Sequence, residues 1–295
     1  MSWTTERYIF ADKGHVKSGA KINAIKNGQL ADTENSWAEN GHMTGGVIGE
    51  TASKTDGKMI CRISRLVGED MKSEIAILIP TLNEENGIGQ TIDDVLTFVP
   101  DCRIYVVDGH SSDTTVDIAI DRGATVISTD KGKGRAVRIA LPCLLSIPHH
   151  KYLVMLDGDN TYPAKHIPEI LRELRDGADA AMGFRIIREN GAMTRANIVG
   201  NWGLSMLASL LYGITAKDVC SGLWGFRRSA LREFALTSNG FTLEADLLMN
   251  TMRNGFRLAQ IPIEYRARSD IRESKLRIWD GFKIAGFLVR GRLRQ

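Results

Sequence analysis

Glu74-Ile75-Ala76-Ile77-Leu78-Ile79-Pro80-Thr81-Leu82-Asn83-Glu84 is the stretch that decides the fold. An unbroken apolar run that stops at a proline and then a carboxylate has the pattern of a strand buried on both faces of a parallel sheet. The same kind of run recurs at 104–107, 125–128, 152–156 and 180–184. Amphipathic segments separate the runs. Ile88, Ile92, Val95, Leu96 and Val99 share one helical stripe, a segment over 113–122 follows Ser111 and Ser112 as caps and stops at Gly123, and further helices are predicted over 135–145 and 164–176, the last ending at Gly177. Repeated β-α units of this length predict an α/β, doubly wound sheet with right-handed crossovers, in which ligands collect at the carboxyl ends of the strands.

Upstream of Glu74 the character is different. Residues 1–72 show no sustained period of 2 or 3.6 and are rich in Gly, Asn, Ser, Thr, Lys and Glu, so they are read as a poorly ordered N-terminal extension, with Met71 as a candidate start and 1–70 dispensable. The opening MSWTTERYIFADKGH has no uninterrupted apolar core of a signal peptide. Downstream, 198–214 is the longest mainly apolar stretch, but Asn201 and three glycines interrupt it, so it predicts a buried or interfacial helix.

Composition narrows the class. The chain has 295 residues, 43% hydrophobic and 25% charged, which excludes collagen-like, disulfide-scaffold and wholly disordered proteins. Cys61, Cys102, Cys143 and Cys220 are widely spaced with no C-x-x-C, so zinc and dithiol chemistry have no support and a reducing compartment is the default. The net charge of +3 is too small for a nucleic-acid footprint, but it is unevenly placed: 262–295 holds nine Lys/Arg against four Asp/Glu. A concentrated basic tail fits an anionic surface such as lipid headgroups, or is simply a solvated tail.

The strand ends carry the chemistry. The first runs into Pro80 and Glu84, the second into Asp108-Gly109-His110, the third into Asp130-Lys131-Gly132-Lys133-Gly134-Arg135 and the fourth into Asp157-Gly158-Asp159-Asn160. Asp157 and Asp159 offer hard oxygens two residues apart, which suit a hydrated Mg2+ or Mn2+; the alternative is a polar turn. The Lys-Gly loop offers bare amides and cations at a helix start, a diphosphate cradle or an exposed turn, and matches neither the dinucleotide fingerprint nor a P-loop. Asp113 reads as support for a helix start and His110 is given no role. Arginines follow in turn-rich settings at Arg185, Arg188, Arg195 and Arg227, where a rigid donor fork suits phosphate oxygens.

With these residues in place, the chain from Glu74 to about Arg294 resembles the inverting family 2 glycosyltransferases of the GT-A fold, with the nearest likeness to dolichyl- and polyprenyl-phosphate sugar transferases, including dolichyl-phosphate mannose synthases and archaeal dolichyl-phosphate sugar transferases of N-glycosylation. The motifs that carry it are PTLNE at 80–84, VVDGHSSDTT at 106–115, DKGKGRA at 130–136, LDGDNTYP at 156–163, GAMTR at 191–195, SGLWGFRR at 221–228 and GFTLEADL at 240–247. The resemblance implies a GT-A, Rossmann-like domain over 73–268; the remaining 269–295 is read from its own residues as a basic amphipathic C-terminal helix. It implies that Pro80, Glu84, Asp108, Lys133 and Asp157 bind the nucleotide-sugar donor and that Asp157 and Asp159 bind Mg2+ or Mn2+. Asp157, Asp159, Arg185 and Arg227 are then catalytic, while Arg195, Ser221, Arg227 and Glu244 face the acceptor phosphate. Asp108-Gly109-His110-Ser111 departs from the commoner Asp-Asp-Gly-Ser, which leaves the base unassigned between UDP and GDP.

The activity so implied moves a hexose or N-acetylhexosamine from a nucleotide sugar to dolichyl or polyprenyl phosphate by metal-assisted inverting displacement, at the cytoplasmic face of a membrane and without nucleic acid. Two alternatives keep the donor motifs: a soluble transferase with a small-molecule or saccharide acceptor, and a non-catalytic nucleotide-sugar-binding module. In the tail, Ile278, Trp279, Phe282, Ala285, Gly286 and Val289 form a helical stripe with Lys275, Arg277, Lys283, Arg290 and Arg292 nearby, which predicts an interfacial helix or one packed on the catalytic domain.

Overall fold

The structure, a computed structural model, describes residues 73–187, 192–267 and 278–293, together with backbone strands within 2–63. Those strands are β1 (Ser2–Asp12), β2 (His15–Lys26), β3 (Gln29–Ala31), β4 (Ser36–Ala38) and β5 (Met59–Ile63). They pair antiparallel with one another, and β5 joins the main sheet through Arg62↔Ser128 and Ile63↔Ile127. Residues 1–72, read from the sequence as a poorly ordered extension, thus carry strands, and the remainder, including Met71, lies outside the described residues.

From residue 75 the chain alternates strand and helix: β6 (Ile75–Thr81), α1 (Ile88–Phe98), β7 (Arg103–Asp108), α2 (Thr115–Asp121), β8 (Thr125–Ser128), α3 (Lys133–Leu145), β9 (Tyr152–Met155), a 3-10 turn over Ala164–His166, α4 (Ile167–Arg175), β10 (Ala180–Ile187) and α5 (Arg195–Tyr212). Then come β11 (Trp224–Arg227), α6 (Arg228–Leu231), α7 (Leu243–Arg253), β12 (Leu258–Tyr265) and α8 (Ile278–Leu293). The sheet runs β12-β10-β11-β9-β6-β7-β8, parallel except for β11, which is antiparallel to both neighbours.

Alternation along each strand builds the two layers. On β6, Ala76 and Leu78 face one core cluster while Ile75, Ile77 and Ile79 face the other; on β7, Tyr105 and Val107 oppose Ile104 and Val106. The first cluster is closed by α3, α7 and the inner faces of α5 and α8, the second by α1 and α4. Strand order turns back between β6 and β9, so the switch point that opens a ligand crevice lies at Thr81 and Asp157.

Ser111 and Ser112 depart from the sequence expectation. They do not cap α2, which starts at Thr115 after Thr114; instead the Ser111 hydroxyl accepts from the Asn83 amide at 2.8 Å and the Ser112 amide donates to Asn83 Oδ1 at 2.8 Å. Asp157 and Asp159 lie in the turn beyond β9, which ends at Met155.

Below the sheet, His150 is fully buried, its Nδ1 2.9 Å from the Ser73 carbonyl oxygen and its Nε2 2.8 Å from the Tyr105 hydroxyl. A carbonyl only accepts, so Nδ1 carries the proton and Nε2 accepts from the tyrosine. Burial depresses the His150 pKa. Its folded pKa lies below the unfolded value near 6.5, so the unfolded state takes up the proton first. Stability present above about pH 6.5 is therefore lost as the pH falls below it, at up to about 1.4 kcal/mol per pH unit for one proton. Urea midpoints between pH 8 and 5 are expected to show this slope in wild type and to lack it in His150→Gln.

Candidate functional site

The loops after β6, β7 and β9 are fastened to each other before any ligand arrives. The Glu84 amide donates to Thr115 Oγ1 at 2.8 Å, the Glu85 amide to Asp113 Oδ2 at 3.2 Å, and the Thr114 hydroxyl to Glu85 Oε2 at 2.8 Å. Asp113 also accepts from the Thr115 amide, supporting the start of α2. Asp108 is buried, and its carboxylate accepts from the His110 and Ser111 amides at 3.1–3.2 Å. Its oxygens are thereby used in bending the loop, and Gly109, not Asp108, lines the cavity beside it.

Three non-glycine residues hold positive φ among the described residues: Asn83 at 52°, His110 at 65° and Asn160 at 59°. Each sits in one of these three loops. Left-handed backbone is uncommon outside glycine, with asparagine and histidine among the tolerant types, and it concentrates at functional sites. His110 thus has a conformational role that its residue type did not signal. Asn160 is held from two sides, since its amide donates to Thr91 Oγ1 at 3.1 Å and its side-chain oxygen accepts from Arg266 at 2.9 Å.

Asp157 and Asp159 both line the cavity but are held differently. Asp159 Oδ1 accepts from the Thr161 amide at 3.1 Å and hydroxyl at 2.7 Å. Asp157 Oδ1 lies 2.5 Å from Lys133 Nζ, which also reaches Glu244 Oε1 at 2.5 Å. Burial alone would lower the Lys133 pKa, but the attraction of Asp157 and Glu244 outweighs it and raises the value above the ordinary range. Burial raises the Glu244 pKa, opposed by Lys133 and reinforced by Asp157. Lys131 and Arg135 are exposed, so the loop contributes a single cation to this contact. Gly132 sits at φ 113°, where a Cβ would come within 2.3 Å of the Asn239 carbonyl oxygen. Its glycine allows the loop to close against 238–240, placing Lys133 over Asp157.

As a metal site, the donors fit a small hard cation. Two carboxylates from one turn, with open volume beside them, match an ion that keeps several waters and takes remaining ligands from phosphate oxygens. Among the described residues no group of three or more His, Cys, Asp or Glu is gathered as a closed metal cage.

Arg185 is nearly buried and lines the same cavity. Its guanidinium makes a two-pronged contact with Asp218, Nε to Oδ2 at 2.7 Å and Nη2 to Oδ1 at 2.8 Å, while its amide donates to Oδ2 at 3.0 Å. The Tyr265 ring lies under it at 5.1 Å. Tyr162 packs edge-on against Tyr265, and its hydroxyl accepts from the Gly222 amide at 2.7 Å. Asp218, Tyr162 and Tyr265 were missed from sequence. Asp218 carries no local signal, because its partner is thirty-three residues away.

The structure brings Pro80, Glu84, Lys133, Asp157, Asp159, Arg185 and Glu244 to one cavity, but not the remaining expectations. Arg195 is exposed at the first turn of α5, although its neighbours Thr194 and Ala196 line the wall. Ser221 is fully buried and its hydroxyl donates to the Gly183 carbonyl. Arg227 is at the wrong end: it pairs with Tyr152 at the start of β9, and its Nε donates to the Leu174 carbonyl at 2.8 Å. The reversed direction of β11 carries it away from the strand ends where the motif suggested a phosphate contact.

The cavity, of about 720 Å³, continues beyond the carboxylates into an apolar half formed by α5 and α8, including Leu204, Leu207, Phe282 and Ile284. Outside it, α5 exposes Val199, Trp202, Met206 and Leu210, and α8 exposes Trp279 and Leu293. The C-terminal helix is divided between the domain and the surface. Ile284 and Leu288 are packed into the domain, with the Tyr212 hydroxyl donating to the Leu288 carbonyl at 2.8 Å, while Trp279 is 73% and Phe282 67% exposed. The predicted segment 269–277 lies outside the described residues. Among the described residues no helix is long and apolar enough to cross a membrane.

The sequence model described as glycosyl transferase family 2 matches residues 76–234. A dolichyl-phosphate hexose transferase of Haloferax volcanii is 36% identical over 206 residues, covering 69% of this chain and 86% of that protein. Glycosyltransferase AglJ of the same organism is 35% identical over 207 residues, covering 68% of this chain and 66% of its own length. Among solved structures, glucosyl-3-phosphoglycerate synthase from Mycobacterium tuberculosis, in complex with Mn2+, UDP and glucosyl-3-phosphoglycerate, superposes with a TM-score of 0.58 at 23% identity, over 75% of this chain and 79% of that one. This last likeness concerns the fold.

Proposed function

The chain belongs to glycosyl transferase family 2, and on that premise we propose that it moves a hexose or N-acetylhexosamine from a UDP- or GDP-sugar to a dolichyl or polyprenyl phosphate, as a peripheral enzyme at the cytoplasmic face of a membrane. The observation that carries this reading is the continuity of one cavity from the Asp157/Asp159 turn to the apolar walls of α5 and α8. A water-soluble acceptor has no use for the second half. A polyprenyl phosphate needs both, a charged end for its headgroup and an apolar path for its first isoprene units.

On this reading Pro80, Thr81 and Glu84 border the nucleoside. Thr81 Oγ1 is buried without a hydrogen-bond partner, which leaves an unmet polar group on the donor side of the cavity. Asp157 and Asp159 hold Mg2+ or Mn2+, which when bound offsets charge developing on the leaving diphosphate. Arg185, fixed by Asp218, presents its remaining guanidinium donors to the acceptor phosphate, and Arg195 at the mouth draws that headgroup in. A phosphate monoester has a second pKa of about 6, so the nucleophile is ionised at neutral pH and the chain needs to orient it more than to deprotonate it. The exposed aromatics of α5 and α8, with Lys283, Arg290 and Arg292 beside them, support seating at a lipid headgroup layer.

One experiment with two readouts tests this. Protein, Mn2+, labelled UDP- and GDP-sugars and polyprenyl phosphate are incubated with anionic vesicles; label is expected in the organic phase, and protein is expected to float with the vesicles. Label on a water-soluble product overturns the lipid acceptor. Flotation unchanged in Trp279→Asp/Phe282→Asp overturns α8 as a membrane contact.

A further inference from the structure

The contact between Lys133 and Asp157 is out of place for a metal site. A divalent cation on Asp157 would have an ammonium group 2.5 Å from the same carboxylate oxygen, with the Lys133 side chain only 17% exposed and little solvent to screen the repulsion. A second carboxylate, Glu244 Oε1, lies 2.5 Å from the same nitrogen, so Lys133 has a partner to keep when it gives up the first. The loop that carries Lys133 is fixed by Gly132 and Gly134 against 238–240, with the Gly134 amide donating to the Gly240 carbonyl at 3.3 Å, so any change of partner is made by the flexible side chain rather than by the loop.

From this we propose that Lys133 is a resident counter-ion of Asp157 that competes with the divalent cation, and that a nucleoside diphosphate relieves the competition by giving the ammonium a phosphate partner. Metal and nucleotide then bind with positive coupling, each tightening the other by the same factor, because linkage is reciprocal. The metal alone meets an Asp157 already neutralised; the metal with a diphosphate meets an Asp157 whose cation has moved to the phosphate and Glu244. Free metal is thereby kept from occupying the site without donor. The inference rests on the reading of Asp157 and Asp159 as metal ligands.

The test measures Mn2+ binding by electron paramagnetic resonance, first with no nucleotide and then with saturating UDP or GDP, on wild type, Lys133→Met, Lys133→Arg and Asp157→Ala, each checked for folding by circular dichroism and thermal unfolding. Lys133→Met is expected to bind Mn2+ alone at least about tenfold more tightly than wild type and to keep only the part of the nucleotide enhancement that direct ligation by the diphosphate supplies, whereas Lys133→Arg keeps weak binding alone and the larger enhancement. A site in which Lys133 has only a packing role gives Lys133→Met equal or weaker Mn2+ affinity, and that result overturns the proposal. Asp157→Ala separates the two levels. If it leaves Mn2+ binding unchanged, the metal assignment itself fails; if it abolishes binding while Lys133→Met does not tighten it, only the competition fails.

Discussion

Asp218→Ala is expected to lower the unfolding free energy by about 3–5 kcal/mol, because removing one partner of a buried ion pair leaves the other charge unpaired. The Asp218 side chain is 3% exposed and Arg185 9%, and the carboxylate accepts from the guanidinium at two points and from the Arg185 amide as well. Burial by itself would lower the Arg185 pKa, and its partners drive it well above the ordinary value instead, so the arginine does not discharge itself by losing a proton. Against a total stability of about 5–15 kcal/mol this is a large fraction, about 6–20 °C in Tm for a domain of this size. Urea and thermal unfolding measure it. Arg185→Met/Asp218→Ala should recover part of the loss, since it removes the orphaned charge along with its partner. If the double variant is less stable than Asp218→Ala, the pair is not the source of the effect.

How much of this was written in the sequence follows from what each residue depends on. The strands from Ile75 to Ile187 were legible because burial on both faces demands unbroken apolar runs, and the helices between them because one face must be apolar. Glu84, Lys133, Asp157 and Asp159 could be found because a parallel α/β sheet fixes where its strand ends point. The direction of β11 could not, since an apolar run reads the same in either sense, and Arg227 was misplaced for that reason. Nor could Ser111 and Ser112, which suit a helix cap locally but are captured by Asn83 from another loop. Asp218 and Tyr265 escaped notice because they act through Arg185, at separations where spacing carries no information. In the tail, the periodic stripe was legible, but the same helix gives Ile284 and Leu288 to the core and Trp279 and Phe282 to the outside.

Asp157→Ala and Asp159→Ala are each expected to reduce sugar transfer by about 10²–10³-fold or more, of the order of 3–4 kcal/mol in the barrier, because each removes a ligand of the ion that offsets leaving-group charge. The two should nevertheless differ in what else they disturb. Asp159 Oδ1 is tied to Thr161 by both amide and hydroxyl, contacts that an amide oxygen can also accept, so Asp159→Asn is expected to keep the turn and the unfolding midpoint while losing most transfer. Asp157 is tied to Lys133 instead, and Asp157→Asn leaves that ammonium with Glu244 alone. A charge is then removed from a pair of carboxylates that already repel, so the fold is expected to tolerate Asp157→Asn while Mn2+ affinity falls. Transfer rates at graded Mn2+, with unfolding midpoints beside them, distinguish lost metal from lost structure. Wild-type, metal-dependent transfer in both alanine variants would show that the turn after β9 shapes the cavity without holding the ion.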